Sequence, residues 1–122
     1  MILSTTPFIE KYDVSQYLGL VAGEVILGAN FFRDWMAGIT NVLGGRSGAY
    51  EASMSEARQK SVKELEQKAN RLGANAVIGI SFHYSTIDFE NTSMLMVGCS
   101  GTAVVLEQNS NQTKNRNQSI HV

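Results

Sequence analysis

The 122-residue chain contains one cysteine, Cys99, and one proline, Pro7. A single cysteine excludes a disulfide within the chain and excludes a Cys-x-x-Cys metal or redox motif. A reducing, cytoplasmic setting is therefore the expected location. The N-terminal sequence MILSTTPF lacks a basic segment followed by an apolar one, so it does not predict a signal peptide.

The chain also lacks an excess of either charge and a long apolar run. Ten basic and eleven acidic residues give a formal net charge of −1, which does not favour nucleic acid as a partner. The longest apolar stretch, residues 18–30, is interrupted by Glu24 and is too short to span a bilayer. The following aromatic stretch has Arg33 as its only basic residue, so we do not expect stable membrane association.

Hydrophobic residues make up 43% of the chain, which is typical of a globular protein with one core. Residues 108–122 are rich in Asn and Gln and have no periodic apolar face. Such a segment does not repay the entropy of ordering. We therefore predict one domain over residues 1–107 and a disordered tail over 108–122.

The ordered part alternates strand and helix patterns. Residues 2–6 predict a short strand ended by Pro7, and Tyr12–Gly28 is an extended run with apolar residues on both faces. Asn30 is a suitable N-cap for a short helix, and the strongest pattern predicts a helix from Ala49 to Leu72 that ends at Gly73. Its expected apolar stripe is Met54, Ala57, Val62, Leu65, Ala69 and Leu72.

Two further strands, ANAVIGISFHYSTI and TSMLMVGCSGTAVVLE, predict an antiparallel hairpin joined by DFEN. Strict alternation places one face of the first strand under the long helix, and the other face against solvent or another subunit. The helix-facing set is Ala76, Ile78, Ile80, Phe82 and Tyr84. The opposite set is Val77, Gly79, Ser81, His83 and Ser85.

The segment GGRSGAYE is either a corner between helices or an anion cradle. Gly44 and Gly45 can end the preceding helix, Ser47 can cap the next, and its free N–H groups with Arg46 and Gly48 favour an anion. It matches neither a Walker phosphate loop nor a dinucleotide fingerprint.

Metal binding has two candidate ligands in the ordered part, His83 and Cys99. With Ser81 opposite Cys99, the two candidates would lie diagonally on one face, and a shift of one residue would separate them. Transition metals need three or four converging ligands, so the pair requires a carboxylate or a neighbouring subunit. The alternative is a solvated histidine and a buried structural cysteine.

Catalysis has weaker support. Ser81 and Ser85 flank His83 on one face, but same-face strand side chains point in parallel and no acid is placed to orient the imidazole. Glu24 interrupts an apolar strand, so it should be paired, with Arg33, Arg46 or Arg58 as candidate partners, or lie at a sheet edge.

Five segments in this order, STTP, GEVILGANFFRDWMAGI, GGRSGAYE, RLGANAVIGI and SMLMVGCSGTAV, resemble the YbjQ-like proteins, a bacterial family of uncharacterised function labelled as heavy-metal-binding. The resemblance covers residues 2–107. It implies a small, dodecin-like α+β fold with a curved antiparallel sheet, one long and one short helix, and assembly into a ring, typically a homopentamer.

The expected subunit contacts are Phe31, Phe32, Trp35, Met36 and Glu24. The alternative for the aromatic residues is that they complete the core of the protomer. We therefore expect a binding or scaffold module, rather than an enzyme, that holds a small ligand or anion at subunit boundaries. The alternative is a protein that binds a divalent transition metal through His83 and Cys99.

Overall fold

The computed structural model describes residues 1–31, 33 and 46–109, with residues 46–50 described by their backbone. Within these residues, four strands and one long helix are defined, and residues 29–31 and 33 are also helical. The elements are β1 (Ile2–Leu3), β2 (Tyr12–Leu27), α1 (Arg46–Arg71), β3 (Ala76–Phe89) and β4 (Thr92–Gln108). This arrangement confirms the predicted α+β class.

The strands form one sheet in the order β1-β3-β4-β2. β4 is antiparallel to β3, to which the hairpin connects it. β4 is also antiparallel to β2, because Asn109 is hydrogen-bonded to Lys11 and Val105 is hydrogen-bonded to Ser15. β1 runs parallel to β3, with Ile2 opposite Ala76. The expected purely antiparallel sheet is therefore wrong, because the chain passes through β2 and α1 before it returns beside β1.

The chain divides into two compact units, and the first comprises residues 1–21, 66–80 and the end of the chain from Gly101. Its core is a buried apolar cluster, against which Ile9 and Val14 pack. The members of the cluster are Ala76, Ile78, Val104 and Leu106. The Asn75 side chain extends the strand pairing, since its amide donates to the Leu106 carbonyl at 2.9 Å and its oxygen accepts the Leu106 N–H at 2.7 Å.

The second unit comprises residues 22–65 and 81–100. Ala57, Leu95 and Val97 form its buried cluster, and four further apolar side chains pack against them. These four are Val25, Leu27, Phe31 and Met54. Gly23 lies against α1 so closely that a Cβ there would overlap the Ser61 carbonyl oxygen.

Helix α1 follows the predicted stripe with two exceptions. Ala57, Leu65 and Ala69 are buried as expected. Leu72 is exposed and lies just beyond Arg71, the last helical residue. The position on the buried face that the pattern missed is Ser61. Its hydroxyl donates to the Arg58 carbonyl at 2.7 Å, so this polar side chain is satisfied within the helix.

The two ends of α1 differ in how well they were predicted. Gly73, at φ 86°, donates its N–H to the Asn70 carbonyl, and Ala74 donates to the Ala69 carbonyl. These two bonds form the glycine-terminated motif expected there. The start was predicted three residues late, since the helix begins at Arg46 rather than Ala49. On the exposed side of the helix, Glu56 and Lys60 form an ion pair at 3.2 Å.

Gly79 changes which side chains of β3 share a face. Its φ is 64°, a conformation that interrupts strand alternation in the manner of a β-bulge. Val77 and Ile80, three residues apart, both lie where a Cβ of Gly101 would point. Ala76 and Ile78 therefore point away from the face of Ile80, and the prediction that all three face the helix is wrong.

Beyond the bulge the predicted helix-facing side is supported at Tyr84, whose hydroxyl accepts a hydrogen bond from Arg58 Nη1 of α1 at 3.3 Å. The hairpin turn is shorter than DFEN. β3 continues to Phe89 and β4 begins at Thr92, so the turn consists of Glu90 and Asn91, with φ values of 48° and 62°. Positive φ at both central residues is the signature of a type I′ turn, which suits a twisted hairpin.

The strand β4 extends to Gln108, and the Asn109 N–H donates to the Lys11 carbonyl at 2.8 Å. The first two residues of the predicted tail therefore continue the sheet. The rest of that prediction, residues 110–122, lies outside the described residues.

Candidate functional site

The glycine-rich segment is only partly described. Gly44 and Gly45 lie outside the described residues, whereas Arg46, Ser47 and Gly48 form the first turn of α1. Ser47 is the second helical residue, so the prediction that it caps the helix is wrong. The first turn of α1 has no acidic residue, which leaves the helix N-terminus without a carboxylate of its own in that turn.

The expected subunit contacts are also partly described. Phe32, Trp35 and Met36 lie outside the described residues. Phe31 is half-buried and packs against the cluster of Ala57, Leu95 and Val97. At this one position the aromatic side chain contributes to the core of the protomer.

Glu24 lies on β2, the edge strand of the sheet, and is exposed. This position agrees with the expectation that a carboxylate in an apolar strand lies at an edge. Its backbone N–H donates to Glu64 Oε2 of α1 at 3.3 Å. A carboxylate of the helix therefore accepts a hydrogen bond from one backbone N–H of the edge strand.

The hairpin register places His83 and Cys99 on opposite faces. With a two-residue turn, Phe89 faces Thr92, and counting back pairs His83 with Gly98 and Phe82 with Cys99. A Cβ on Gly98 would lie 3.0 Å from His83 Cδ2, so the imidazole lies over this glycine. Because neighbouring strand residues point to opposite faces, Cys99 points away from His83.

The environments of the two side chains differ accordingly. His83 is exposed, whereas Cys99 is fully buried. Within the described residues, no group of three or more His, Cys, Asp or Glu side chains could hold a metal ion. The described residues of a single protomer thus do not supply the three or four converging ligands that such a metal needs.

Ser81 and Ser85 are exposed on the same stretch of β3 as His83. Among the hydrogen bonds of the described residues, the side-chain bonds do not join either serine to the imidazole. This arrangement gives no support to a nucleophile and base pair.

A cleft of about 270 Å³ lies in the first unit, at the loop that precedes β2. Phe8, Tyr12 and Tyr17 line it together with Asp13, and Ile78 and Leu106 of the buried cluster form its apolar part. We refer to it as the aromatic cleft. This cleft was not predicted from the sequence, although three aromatic residues within ten positions around a loop were the available signal.

In the part of the chain that the structure describes, the helices are too short or too polar to cross a membrane.

Comparison with known proteins gives a consistent family assignment. Residues 1–107 match a family model, YbjQ_1, described as "Putative heavy-metal-binding". The chain is 51% identical over 106 residues to the UPF0145 protein PM1668 of Pasteurella multocida (strain Pm70), which covers 87% of this chain and 99% of that protein. A UPF0145 protein of Actinobacillus pleuropneumoniae serotype 5b (strain L20) is also 51% identical, with the same coverage.

A solved structure supports the fold. A protein of unknown function from Pediococcus pentosaceus, assigned to the DUF74 family, superposes with a TM-score of 0.58 and 15% sequence identity. The match covers 88% of this chain and 98% of that one.

Proposed function

The chain belongs to the YbjQ-like family, and from that premise we propose that it is a binding or scaffold module that assembles with copies of itself into a ring and holds a small ligand or anion at the subunit boundaries. The observation that carries the assembly is the exposed edge of β2. This strand has 16 residues, contains no proline and lies at the end of the sheet order. Leu20 and Ile26 on it are 86% and 56% exposed.

A long apolar edge strand is a template for pairing with another chain. The sheet also has a second, different edge within the described residues, because β1 pairs with β3 only at Ala76 and Val77. Among the residues that the structure describes, β3 beyond Ile80 is therefore bordered in the sheet by β4 alone. Pairing of two unlike edges is a head-to-tail contact, which closes into a ring when the rotation between copies allows it. A homopentamer is the ring that we propose.

Sedimentation velocity of the full chain at micromolar concentration tests this assembly. We expect a species several times the 13.3 kDa mass of the protomer. Replacement of Leu20 by lysine places a charge at the apolar edge and should shift the chain toward the protomer. Leu72→Lys is the matched control, because Leu72 is also exposed but lies just beyond the end of α1. A stable protomer in the unchanged chain contradicts the proposal.

The anion is supported by the N-terminus of α1. The helix has 26 residues, begins with Arg46 and has no acidic residue in its first turn. The free N–H groups and the helix dipole at such an end attract anions. Titration with inorganic phosphate should show binding that is lost in Arg46→Ala while the sedimentation profile is unchanged. A loss of assembly in this variant would instead assign Arg46 to a contact between subunits.

Metal binding is the second candidate, favoured by the description of the family and by the exposed imidazole of His83. Because Cys99 is buried on the other face, we propose that His83, contributed by several protomers, is the ligand and that Cys99 is structural. Titration with zinc, copper and cadmium tests this assignment. Binding should be lost in His83→Ala and retained in Cys99→Ala. Equal loss in both variants, or affinity weaker than about 10 μM in the unchanged chain, contradicts it.

A further inference from the structure

We infer that the aromatic cleft binds a small organic cation of the alkylammonium class. Three aromatic side chains line it, Phe8, Tyr12 and Tyr17, and Phe8 is 82% exposed. The faces of aromatic rings carry negative charge density and attract cations, and quaternary ammonium groups in particular are held in this way. The inference is independent of the proposed assembly and of its anion site.

The loop that carries Phe8 is held in place by its own hydrogen bonds. Thr6 Oγ1 donates to the Phe8 carbonyl at 2.7 Å, and the Thr6 N–H donates to Ser4 Oγ at 3.1 Å. At the other end of the loop, the Tyr12 N–H donates to the Ile9 carbonyl at 3.2 Å. A site whose wall is already ordered loses less entropy when it binds a ligand.

The inner part of the cleft is apolar. Ile78 and Leu106 belong to the buried cluster, and Ile9 and Val14 pack against that cluster. These side chains offer contacts for methyl groups and give no hydrogen-bond partners to a compact, strongly hydrated ion such as ammonium or Na⁺. The volume of about 270 Å³ is below the range of drug-sized pockets, so the ligand should be small.

Charge selects a cation over an anion or a neutral ligand. Among the described residues that line the cleft, Asp13 is the only charged one. Its carboxylate gives the lining of the cleft a negative charge. An acidic aromatic cleft fits a ligand that combines methyl groups with a positive charge.

Two other occupants are outcomes of the test. A neutral apolar peptide would bind through the same rings without a requirement for charge. A second copy of the chain seated on these residues would cover the cleft and prevent access by any small ligand.

The experiment is a titration of the full chain with choline, followed through the NMR signals of the tyrosine rings and of the Asp13 region. The matched control ligand is the neutral isostere of choline, in which carbon replaces nitrogen. We expect saturable shifts with choline, and binding of the isostere weaker by about two- to fivefold or more, the factor that a cation and aromatic interaction at an exposed site supplies. Equal binding of both compounds, or no binding of choline, overturns the inference.

Variants locate the site on the chain. Tyr17→Ala and Asp13→Asn should each weaken choline binding by about two- to fivefold. Tyr17 is largely exposed, so its truncation should leave the fold intact. Phe89→Ala, an exposed aromatic at the end of β3, is the control and should bind choline as the unchanged chain does. Unchanged affinity in both cleft variants overturns the assignment.

Discussion

At the scale of single residues, Gly23 is the glycine with the least room for a side chain among Gly19, Gly23, Gly28, Gly73, Gly79, Gly98 and Gly101. A Cβ there would overlap the Ser61 carbonyl oxygen and lie 2.9 Å from the Leu65 nitrogen, and both are backbone atoms of α1. Backbone atoms cannot rotate away from a clash as a side chain can, so Gly23→Ala must move the helix away from the sheet. We expect a loss of about 3 kcal/mol or more in the free energy of unfolding, measured by urea denaturation.

The matched control for Gly23 is Gly28→Ala. Gly28 follows the same strand, and a Cβ there meets no atom within 4 Å. This substitution should change the free energy of unfolding by no more than about 1 kcal/mol, and the sign can be stabilising, because alanine restricts the unfolded chain. Similar losses of unfolding free energy in both variants would show that the contact between β2 and α1 does not limit the size of the side chain at residue 23.

The same substitution at Gly98 should have a different effect. There the new Cβ would lie 3.0 to 3.2 Å from the His83 imidazole, which is an exposed side chain and can rotate away. We expect Gly98→Ala to cost less than about 1 kcal/mol and to shift the ring signals of His83 in the NMR spectrum. Unchanged His83 signals would show that the imidazole does not rest on Gly98.

At the scale of single elements, the bulge at Gly79 is the feature that organises β3. Its φ is 64°, and no atom lies within 4 Å of a Cβ built there, so a substitution acts through the backbone conformation alone. Gly79→Ala should therefore cost about 1 to 2 kcal/mol. Asparagine tolerates this conformation better, so Gly79→Asn should cost clearly less in the same denaturation experiment. Equal costs would indicate a steric rather than a conformational origin.

The bulge also explains where sequence reasoning reached its limit. The strand itself was visible in the alternation of Ala76, Ile78 and Ile80, and the end of α1 was visible in Gly73. The sequence did not show which side chains share a face, because a single residue with positive φ reverses the alternation after it. A glycine in a strand pattern signals such a change but does not show which side chains then lie on which face of the sheet.

The prediction that the two candidate metal ligands share a face was wrong for a related reason. His83 and Cys99 were placed on one face by assuming Ser81 opposite Cys99, whereas the two-residue turn at Glu90 and Asn91 shifts the register by one position. Glu-Asn is not the preferred sequence for that turn, so the turn type was not evident. The edge position of Glu24 was foreseen as one of two alternatives, because burying an unpaired carboxylate is costly.

At the scale of the whole molecule, the proposed ring would cover the exposed apolar residues of β2 with a second copy of the chain. Leu20 and Ile26 are each more than half exposed on the edge strand. If copies pair through this edge, burial of these side chains favours the assembled state, and mass action makes its stability depend on concentration. We expect the apparent Tm of the full chain to rise by about 3 °C or more over a hundredfold increase in protein concentration.

Ile26→Lys tests whether that dependence comes from the edge. The charged side chain should reduce the rise in Tm with concentration while leaving the Tm at the lowest concentration close to that of the unchanged chain, since Ile26 is 56% exposed in the protomer. Leu72→Lys, beyond the end of α1, should retain the full rise. A Tm of the unchanged chain that does not vary with concentration would show that the protomer gains no stability from assembly. Another partner would then have to cover the apolar edge of β2.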